Sequence, residues 1–257
     1  MTAEIDVVLV RPKEDGNVGA VARAARNFGA RHLSIVAPRA PLGPEARRRS
    51  MGGLPLLRSA TRHATLDAAV AKADLVIGTT DLSTGRSTAY LRRSVSPERL
   101  GEMLEPLVGR VAIVFGPEDN GLSRTELARC DLLVHIPARR EFPTMNLSHA
   151  AGVVLYAAHR ARRGEATEST PAPEVIELSG REKEIFLERL YALLTRTRYP
   201  SHKRRGMVLL FRRILGRATP GESELRMLLG LMRTMEWALQ KPAPAKPARR
   251  PSRARAR

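Results

Sequence analysis

Three short segments of the chain place glycine, proline and polar residues directly after a run of apolar residues. They are 78–87 (GTTDLSTGRS), 116–123 (GPEDNGLS) and 137–148 (PARREFPTMNLS). Gly78, Gly116 and Gly121 permit a positive φ, or an approach of backbone to a ligand that a Cβ would prevent. Backbone groups in such loops can bind an adenine or a carboxylate without a charged side chain. One such loop is typical of a plain turn, but three together favour a ligand site.

The apolar runs before these loops have the length of strands. They are IDVVLV, HLSIVA, DLVIGTT, VAIVFG and LLVHIP, and helical patterns separate most of them. Continuous apolarity is typical of strands covered on both faces, so the pattern predicts an α/β fold with a mainly parallel sheet and helices on both faces. The carboxyl ends of parallel strands lie at one edge, where ligands bind.

Two nucleotide-binding motifs are excluded. The first turn contains only Gly16 and Gly19, in a GxxG spacing rather than GxGxxG, and Arg39 stands near the end of the next strand where a ribose-binding acid would be needed. No GxxxxGK[ST] occurs. One cysteine and six histidines without helical ligand spacing predict neither an intramolecular disulfide nor a metal site.

The net charge of +18 favours a nucleic-acid partner, with an anionic membrane surface as the second choice. The last segment, 241–257, holds seven of the cations and no acid, which leaves a surplus of eleven in the rest of the chain. We expect a phosphate-tracking surface. Its candidates are Arg47, Arg48, Arg49, Arg196, Arg198, Lys203, Arg204, Arg205, Arg212 and Arg213. No apolar run approaches the ~20 residues of a membrane span, and 1–12 lacks the layout of a signal peptide. We therefore expect a cytoplasmic protein without membrane attachment.

Composition predicts four parts. Residues 1–163 form the α/β domain, 164–178 a linker rich in Pro, Thr and Glu, 179–240 a small all-helical domain, and 241–257 a disordered basic tail. Capping boxes at Ser179 with Glu182 and at Thr219 with Glu222 predict where two helices begin.

The loops also carry motifs of a known family. In order they are 17–19 (NVG) with Arg23 and 27–29 (NFG), then 115–122 (FGPEDNGL), then 136–137 (IP) followed by 143–148 (PTMNLS). This ordered triple resembles the SPOUT class of RNA methyltransferases, and within it the tRNA 2′-O-ribose methyltransferases of the TrmJ group. The stretch from Tyr199 resembles that group's helical extension, so the resemblance covers roughly 4–240.

The resemblance implies a trefoil knot at the end of the α/β domain, a homodimer with cofactor sites near the subunit interface, and S-adenosylmethionine as methyl donor. It implies catalytic roles for Arg23, Asn17 and Ser148. The cofactor-binding residues that it implies are Thr79, Thr80, Asp81, Gly116, Glu118, Leu122, Ile136, Pro143, Thr144, Met145 and Asn146. Helix capping is the alternative role for Asn146 and Ser148, and holding the loop is the alternative for Glu118.

The substrate implied by the resemblance is tRNA. The modified ribose is expected at nucleotide 32, the first position of the anticodon loop, with cytidine and possibly uridine as the base. Two alternatives remain open: a SPOUT 2′-O-methyltransferase acting on ribosomal RNA, and a non-catalytic RNA-binding protein that uses the basic surface alone.

Overall fold

The computed structural model describes residues 3–38, 42–80, 94–139, 141, 144–162, 176–177 and 179–239. Six parallel strands form its central sheet: β1 (Glu4–Val10), β2 (His32–Val36), β3 (Thr61–His63), β4 (Leu75–Thr79), β6 (Arg110–Phe115) and β7 (Leu132–Val134). Their order across the sheet is β3-β2-β1-β6-β4-β7. The five strands expected from apolar runs are all present, and the α/β class with a mainly parallel sheet is confirmed.

Helices cover both faces of the sheet. They are α1 (Asp15–Asn27), α2 (Pro44–Ser50), α3 (Leu54–Arg58), α4 (Leu66–Val70), α5 (Pro97–Leu104), α6 (Arg124–Arg129) and α7 (Leu147–Arg162), with a 3-10 turn at Met51–Gly53. Adjacent strand residues point to opposite faces. Val7 therefore packs in one core cluster with Ala22 of α1 and Val154 of α7, whereas Val8 packs in another with Leu66 of α4.

Some elements carried no signal in the sequence. Strand β3 is the polar tripeptide TRH at the sheet edge. Helices α2 and α3 are short, and α2 packs on α1 so closely that a Cβ at Gly19 would lie 2.1 Å from the carbonyl oxygen of Ala46. Tertiary contact rather than helix propensity therefore forms this region.

The segment expected to be a linker contains one short strand. Within it, β8 (Ile176–Glu177) pairs in parallel with β5 (Leu107–Val108). Its two residues follow a Pro-rich run whose composition masks so short a strand.

Three helices follow: α8 (Gly180–Arg196), α9 (Ser201–Ala218) and α10 (Glu222–Ala238). They enclose a core of their own that includes Phe186, Leu190, Leu215 and Leu229. Below, α8–α10 are called the helical unit. Buried polar contacts join it to the sheet, since Lys183 Nζ donates to Asp131 Oδ2 at 2.6 Å.

The first capping prediction holds and the second is wrong. Ser179 Oγ accepts from the backbone N–H of Glu182 at 3.5 Å. Thr219 instead ends α9 in a left-handed conformation with φ 43°, and its N–H donates to Leu215 O at 2.8 Å. Because Thr219 closes one helix, it does not cap the next. Helix α10 begins two residues later than expected, where Glu224 accepts from the N–H of Gly221 at 3.0 Å.

Candidate active site

A cavity of about 240 Å³ lies at the carboxyl ends of β4, β6 and β7. The residues that line it come from three strand ends, from α6 and from the start of α7. They are Thr79, Thr80, Phe115, Gly116, Pro117, Glu118, Asp119, Asn120, Gly121, Leu122, Leu127, Val134, Ile136, Thr144, Met145, Leu147, Ala150 and Val154. The cavity therefore occupies the edge at which parallel sheets bind ligands.

The loop after β6 forms one wall by folding back on itself. A Cβ at Gly116 would lie 2.3 Å from the carbonyl carbon of Gly121, so only glycine fits there. Gly121 has φ 60°, and its N–H donates to Pro117 O at 3.0 Å. This close turn exposes backbone to the cavity and buries Leu122 beneath it.

Helix α6 extends the same wall and is fixed at its first turn. Ser123 Oγ accepts from the N–H of Glu126 at 3.3 Å, and Glu126 Oε2 accepts from the N–H of Ser123 at 2.7 Å. Arg11, at the end of β1, forms an ion pair with Glu126. Burial opposes ionisation of Glu126, but the bonds from Arg11 and Ser123 outweigh it and hold the pKa of this carboxyl below the ordinary 4.5.

The end of β4 supplies the opposite side of the cavity. Thr79 Oγ1 donates to Val114 O at 3.1 Å, and the N–H of Thr80 donates to Val134 O at 3.0 Å. His135 Nδ1 lies 3.1 Å from Thr80 O. The two threonines are thereby held between the neighbouring strands.

A chain of hydrogen bonds connects the cavity loop to α1 and α7. Asn17 Nδ2 donates to Glu118 Oε1 at 2.9 Å, and Asn146 Nδ2 donates to Asn17 Oδ1 at 3.1 Å. Asn146 Oδ1 in turn accepts from both the N–H and the Oγ of Ser148, at 2.9 and 2.7 Å. Three separate segments are thus held in one arrangement.

Glu118 also closes the amino-terminal end of α1. Its carboxylate accepts from the N–H of Lys13 at 3.0 Å and of Glu14 at 3.3 Å. Burial opposes ionisation of this group, but the hydrogen bonds from Asn17 and the two backbone N–H groups outweigh it and hold the pKa of Glu118 below the ordinary 4.5.

Comparison with known proteins identifies the family to which this chain belongs. A family model described as the SpoU rRNA Methylase family matches residues 4–156, more than half of the chain. The chain belongs to the SpoU methylase family. It is 33% identical over 220 residues to the tRNA (cytidine-2'-O-)-methyltransferase TrmJ of Methanocaldococcus jannaschii, covering 85% of this chain and 94% of that protein. It is 31% identical over 254 residues to the tRNA (cytidine/uridine-2'-O-)-methyltransferase TrmJ of Sodalis glossinidius, covering 95% and 96%.

Solved structures agree with this assignment. TrmJ from Z. mobilis superposes with a TM-score of 0.68 at 28% identity, covering 91% of this chain and 100% of that one. AviRb of Streptomyces viridochromogenes, a SpoU methyltransferase solved with the cofactor AdoMet, shares the fold with a TM-score of 0.52 at 23% identity, covering 63% and 59%. Within the SpoU family this methyltransferase belongs to the TrmJ group.

Most of the residues that the sequence motifs nominated meet at the cavity of this SpoU protein. Eight of them line it: Thr79, Thr80, Gly116, Glu118, Leu122, Ile136, Thr144 and Met145. Asn146 borders an adjoining groove together with Glu118 and His149. Asn17 and Ser148 join through the hydrogen-bond chain. Asp81 and Pro143 lie outside the described residues. Cofactor binding by these side chains stays a prediction.

Arg23 does not join them. Its exposed side chain lies on α1, and it does not line the cavity of its own chain. Gly78 also differs from expectation, because a Cβ there would lie 2.6 Å from Cys130 Sγ. Its absent side chain makes room for core packing rather than for a ligand.

Several wall residues were missed in the sequence. Leu127, Val134, Ala150 and Val154 are apolar residues of α6, β7 and α7 that face the cavity. Apolar residues in a helix or strand are as typical of the core as of a cavity wall, and no local pattern distinguishes the two. Arg11 and Glu126 are 115 residues apart in the sequence, so no local pattern predicts that they pair.

The basic surface is smaller than expected. Arg212 and Arg213 are engaged at the contact between the helical unit and the sheet, so their assignment to a phosphate surface is wrong. Arg48 and Arg49 pair with Glu45. Four of the exposed cations that have no ion-pair partner among the described residues lie close together at the α8–α9 turn. They are Arg196, Arg198, Lys203 and Arg205, and they are called the turn patch below.

None of the helices within the described ranges combines the length and the apolarity needed to cross a bilayer.

Proposed function

We propose that this SpoU protein transfers a methyl group from S-adenosylmethionine to a ribose 2′-hydroxyl of tRNA. The observation that carries the proposal is the cavity at the carboxyl edge of the sheet, built by the motif loops 116–122 and 144–147. The names of its TrmJ relatives support the reaction and the substrate class. The AdoMet complex of the similarly folded AviRb supports the methyl donor.

The cavity fits such a donor in chemistry. Its volume of about 240 Å³ lies just below the ~300–1,000 Å³ typical of small-molecule sites. Apolar side chains such as Leu122, Ile136 and Met145 suit an adenine, and the Gly116 turn offers backbone groups where a Cβ has no room. Glu118 and the two threonines add polar contacts.

S-adenosylmethionine supplies a methyl group that its sulfonium centre already activates. The protein has therefore to orient the ribose hydroxyl and favour its deprotonated form. A guanidinium stays charged in proteins, so Arg23 acts electrostatically beside the hydroxyl or its phosphate rather than as a base. Asn17 and Ser148, held by Asn146, position the target ribose.

A homodimer would explain how Arg23 can act at the cavity although it does not line the cavity of its own chain. Asn17, in the first turn of α1, contacts the cavity loop through Glu118, and Arg23 lies about 9 Å further along the helix axis. On α7, which packs against α1, Val153 and Tyr156 are 37% and 52% exposed, and the Tyr156 ring lies 5.8 Å from that of Phe28. We propose that a second copy covers this surface and that its Arg23 reaches the site.

The family resemblance further implies a trefoil knot through the loops around the cavity. The sheet order supports this proposal, because β6 inserts between β1 and β4, and β7 then returns to the far side of β4. This strand order is compatible with a knot and does not by itself require one.

The turn patch is the proposed tRNA contact of the helical unit. Its four cations lie within ten residues of one another around a helix–helix turn, and phosphate contacts of this kind depend on charge rather than on base identity. For the modified position we propose nucleotide 32, with cytidine as the base and uridine as a second substrate. The two relatives differ on uridine in their names.

Incubation of the full chain with labelled S-adenosylmethionine and unmodified tRNA transcripts, followed by nucleoside mass spectrometry, tests the proposal. We expect 2′-O-methylcytidine or 2′-O-methyluridine in the anticodon loop. Transfer to ribosomal RNA alone would favour the alternative that the family description carries. RNA binding without binding of S-adenosylmethionine would identify a non-catalytic RNA-binding protein.

A further inference from the structure

The wall of the cavity is attached directly to the helical unit. Arg213, on α9, donates a hydrogen bond from Nη2 to the carbonyl oxygen of Leu127. Leu127 belongs to α6 and lines the cavity. One side chain therefore joins the C-terminal helices to the backbone of the proposed cofactor wall.

Helix α6 needs such support because it is short. It has six residues, and isolated helices below ~12 residues are marginal in water. Arg11 and Ser123 hold its first turn through Glu126. In its last turn the carbonyl oxygen of Leu127 accepts from the N–H of Cys130 at 3.3 Å, and the Arg213 guanidinium donates a second hydrogen bond to the same oxygen.

The position of Arg213 is fixed by a neighbouring anchor. Asp131, which is fully buried, accepts from Lys183 Nζ at 2.6 Å, from Arg212 Nη1 at 3.0 Å and from the N–H of Val76 at 2.8 Å. A Cβ at Gly216 would lie 2.3 Å from Asp131 O, so α9 rests directly on this backbone. The helical unit thus contacts the chain on both sides of Cys130.

Stability alone does not account for Arg213. The residue is 4% exposed, and its Nε and Nη1 have no hydrogen-bond partner among the described residues. Burial lowers the pKa of its guanidinium, which means that the charged form is disfavoured there. Replacing such a buried charge with an apolar side chain of similar volume is often neutral or stabilising.

We infer that Arg213 is a positioning residue that holds the last turn of α6 and thereby sets the affinity of the cavity for S-adenosylmethionine. The inference rests on the proposed function for the identity of the ligand. It makes the helical unit, which carries the turn patch, a structural part of the cofactor site. Truncation of that unit would then impair cofactor binding as well as RNA binding.

The test compares the full-length protein with Arg213→Met. We expect the dissociation constant for S-adenosylmethionine, measured by calorimetry, to rise roughly threefold to tenfold, the factor for one missing hydrogen bond. Amide hydrogen exchange in the ligand-free variant should accelerate at 124–130 and stay unchanged in β1. In turnover, KM for S-adenosylmethionine should rise while kcat at saturation and KM for tRNA stay constant.

Two further variants make each outcome decisive. Arg213→Lys retains a donor and should recover part of the affinity, whereas Arg233→Ala removes an exposed arginine of α10 and should change nothing. Wild-type affinity in Arg213→Met would overturn the inference, as would a lower melting temperature, which would assign Arg213 to stability. Failure of the unaltered protein to bind S-adenosylmethionine would instead refute the proposed function.

Discussion

The side-chain amide of Asn17 donates a 2.9 Å hydrogen bond to the carboxylate of Glu118, joining the first helix to the loop that forms the cavity wall. Asn17 is 7% exposed, so its amide has no ready replacement partner in water. Glu118 also accepts from the N–H groups of Lys13 and Glu14. A negative charge at a helix N-terminus is favourable, and here it comes from a residue about a hundred positions away.

Glu118→Ala should therefore destabilise the fold and weaken the cofactor site together. Leaving the buried amide of Asn17 unpaired costs about 1–3 kcal/mol. We expect a lower melting temperature at pH 7 and a higher dissociation constant for S-adenosylmethionine. Differential scanning calorimetry and titration calorimetry measure the two effects. The control is Glu102→Ala, which removes an exposed ion pair with Arg99 worth about 0–1 kcal/mol.

The effect of Glu118→Ala should depend on pH with a definite sign. Because the folded pKa of Glu118 is held below the ordinary 4.5, its stabilisation is complete well above pH 4.5 and is lost as pH falls through the folded value. The difference in melting temperature between the variant and the wild type should therefore narrow on acidification below pH 4.5. A difference that stays constant into that range would show that charge is not its cause.

The features that the sequence predicted well are those with local causes. Apolar runs gave the five main strands, because a strand buried on both faces has no polar side chains to interrupt it. Helix α1 ends at Asn27, and Gly29 beyond it has φ 69°, a conformation that glycine adopts readily at the end of a helix. The motif loops converged on one cavity because parallel strands end at the same edge.

The features that escaped prediction depend on contacts between distant segments. Arg212 and Arg213 were predicted to be surface cations. In the structure they contact Asp131 and Leu127, because the helical unit packs against that part of the chain. The predicted start of α10 was wrong because Thr219, a residue type that favours the N-cap position, is the C-cap of α9 instead. The distance of Arg23 from the cavity was also not predicted, because its motif fixes the helix that carries it but not its position relative to the strand ends.

Gly116→Ala should abolish tight binding of S-adenosylmethionine. The added Cβ would lie 2.3 Å from both the carbonyl carbon of Gly121 and the nitrogen of Leu122, so the loop must open. Titration calorimetry with the cofactor measures the loss. Gly230→Ala is the matched control. Among the described residues, no atom apart from the neighbouring backbone of α10 lies within 4 Å of the added Cβ, and α10 should gain up to ~1 kcal/mol. Unchanged affinity in Gly116→Ala would remove this loop from the cofactor site.

Arg23→Ala should retain cofactor affinity but lose most methyl transfer, because the residue lies outside the cavity of its own chain. Removal of the positive charge that it places beside the ribose is expected to lower kcat by at least ~100-fold. A filter assay with labelled cofactor and tRNA measures turnover. Full turnover in the variant would exclude Arg23 from the mechanism.

Mixing Arg23→Ala with Gly116→Ala tests whether Arg23 serves the partner subunit. A mixed dimer would combine an intact cofactor cavity in one chain with an intact Arg23 in the other. If subunits exchange at random, activity should recover to about a quarter of the wild type, because half of the dimers would carry one working site out of two. An inactive mixture whose subunits demonstrably exchange would place Arg23 in the site of its own chain.

Cys130 should be unreactive in the folded protein. Burial raises the pKa of its thiol to about 12, and its Sγ donates to Glu126 O at 3.2 Å. The thiolate is the reactive form, so iodoacetamide at pH 8 should leave the native mass unchanged and add one group in urea. Rapid alkylation of the native protein would show that α6 opens frequently at its last turn.

Deletion of 241–257 should weaken tRNA binding without removing activity. The segment carries seven cations and no acid, and the slope of log K against log salt falls by about 0.7–0.9 for each phosphate that the protein no longer neutralises. We expect a higher KM for tRNA, a shallower salt dependence and an unchanged kcat. The control keeps the length but replaces the seven cations with glutamine, and it should behave like the deletion because charge is the cause. A chain that loses kcat on deletion but not on charge replacement would assign the segment a role beyond electrostatic attraction.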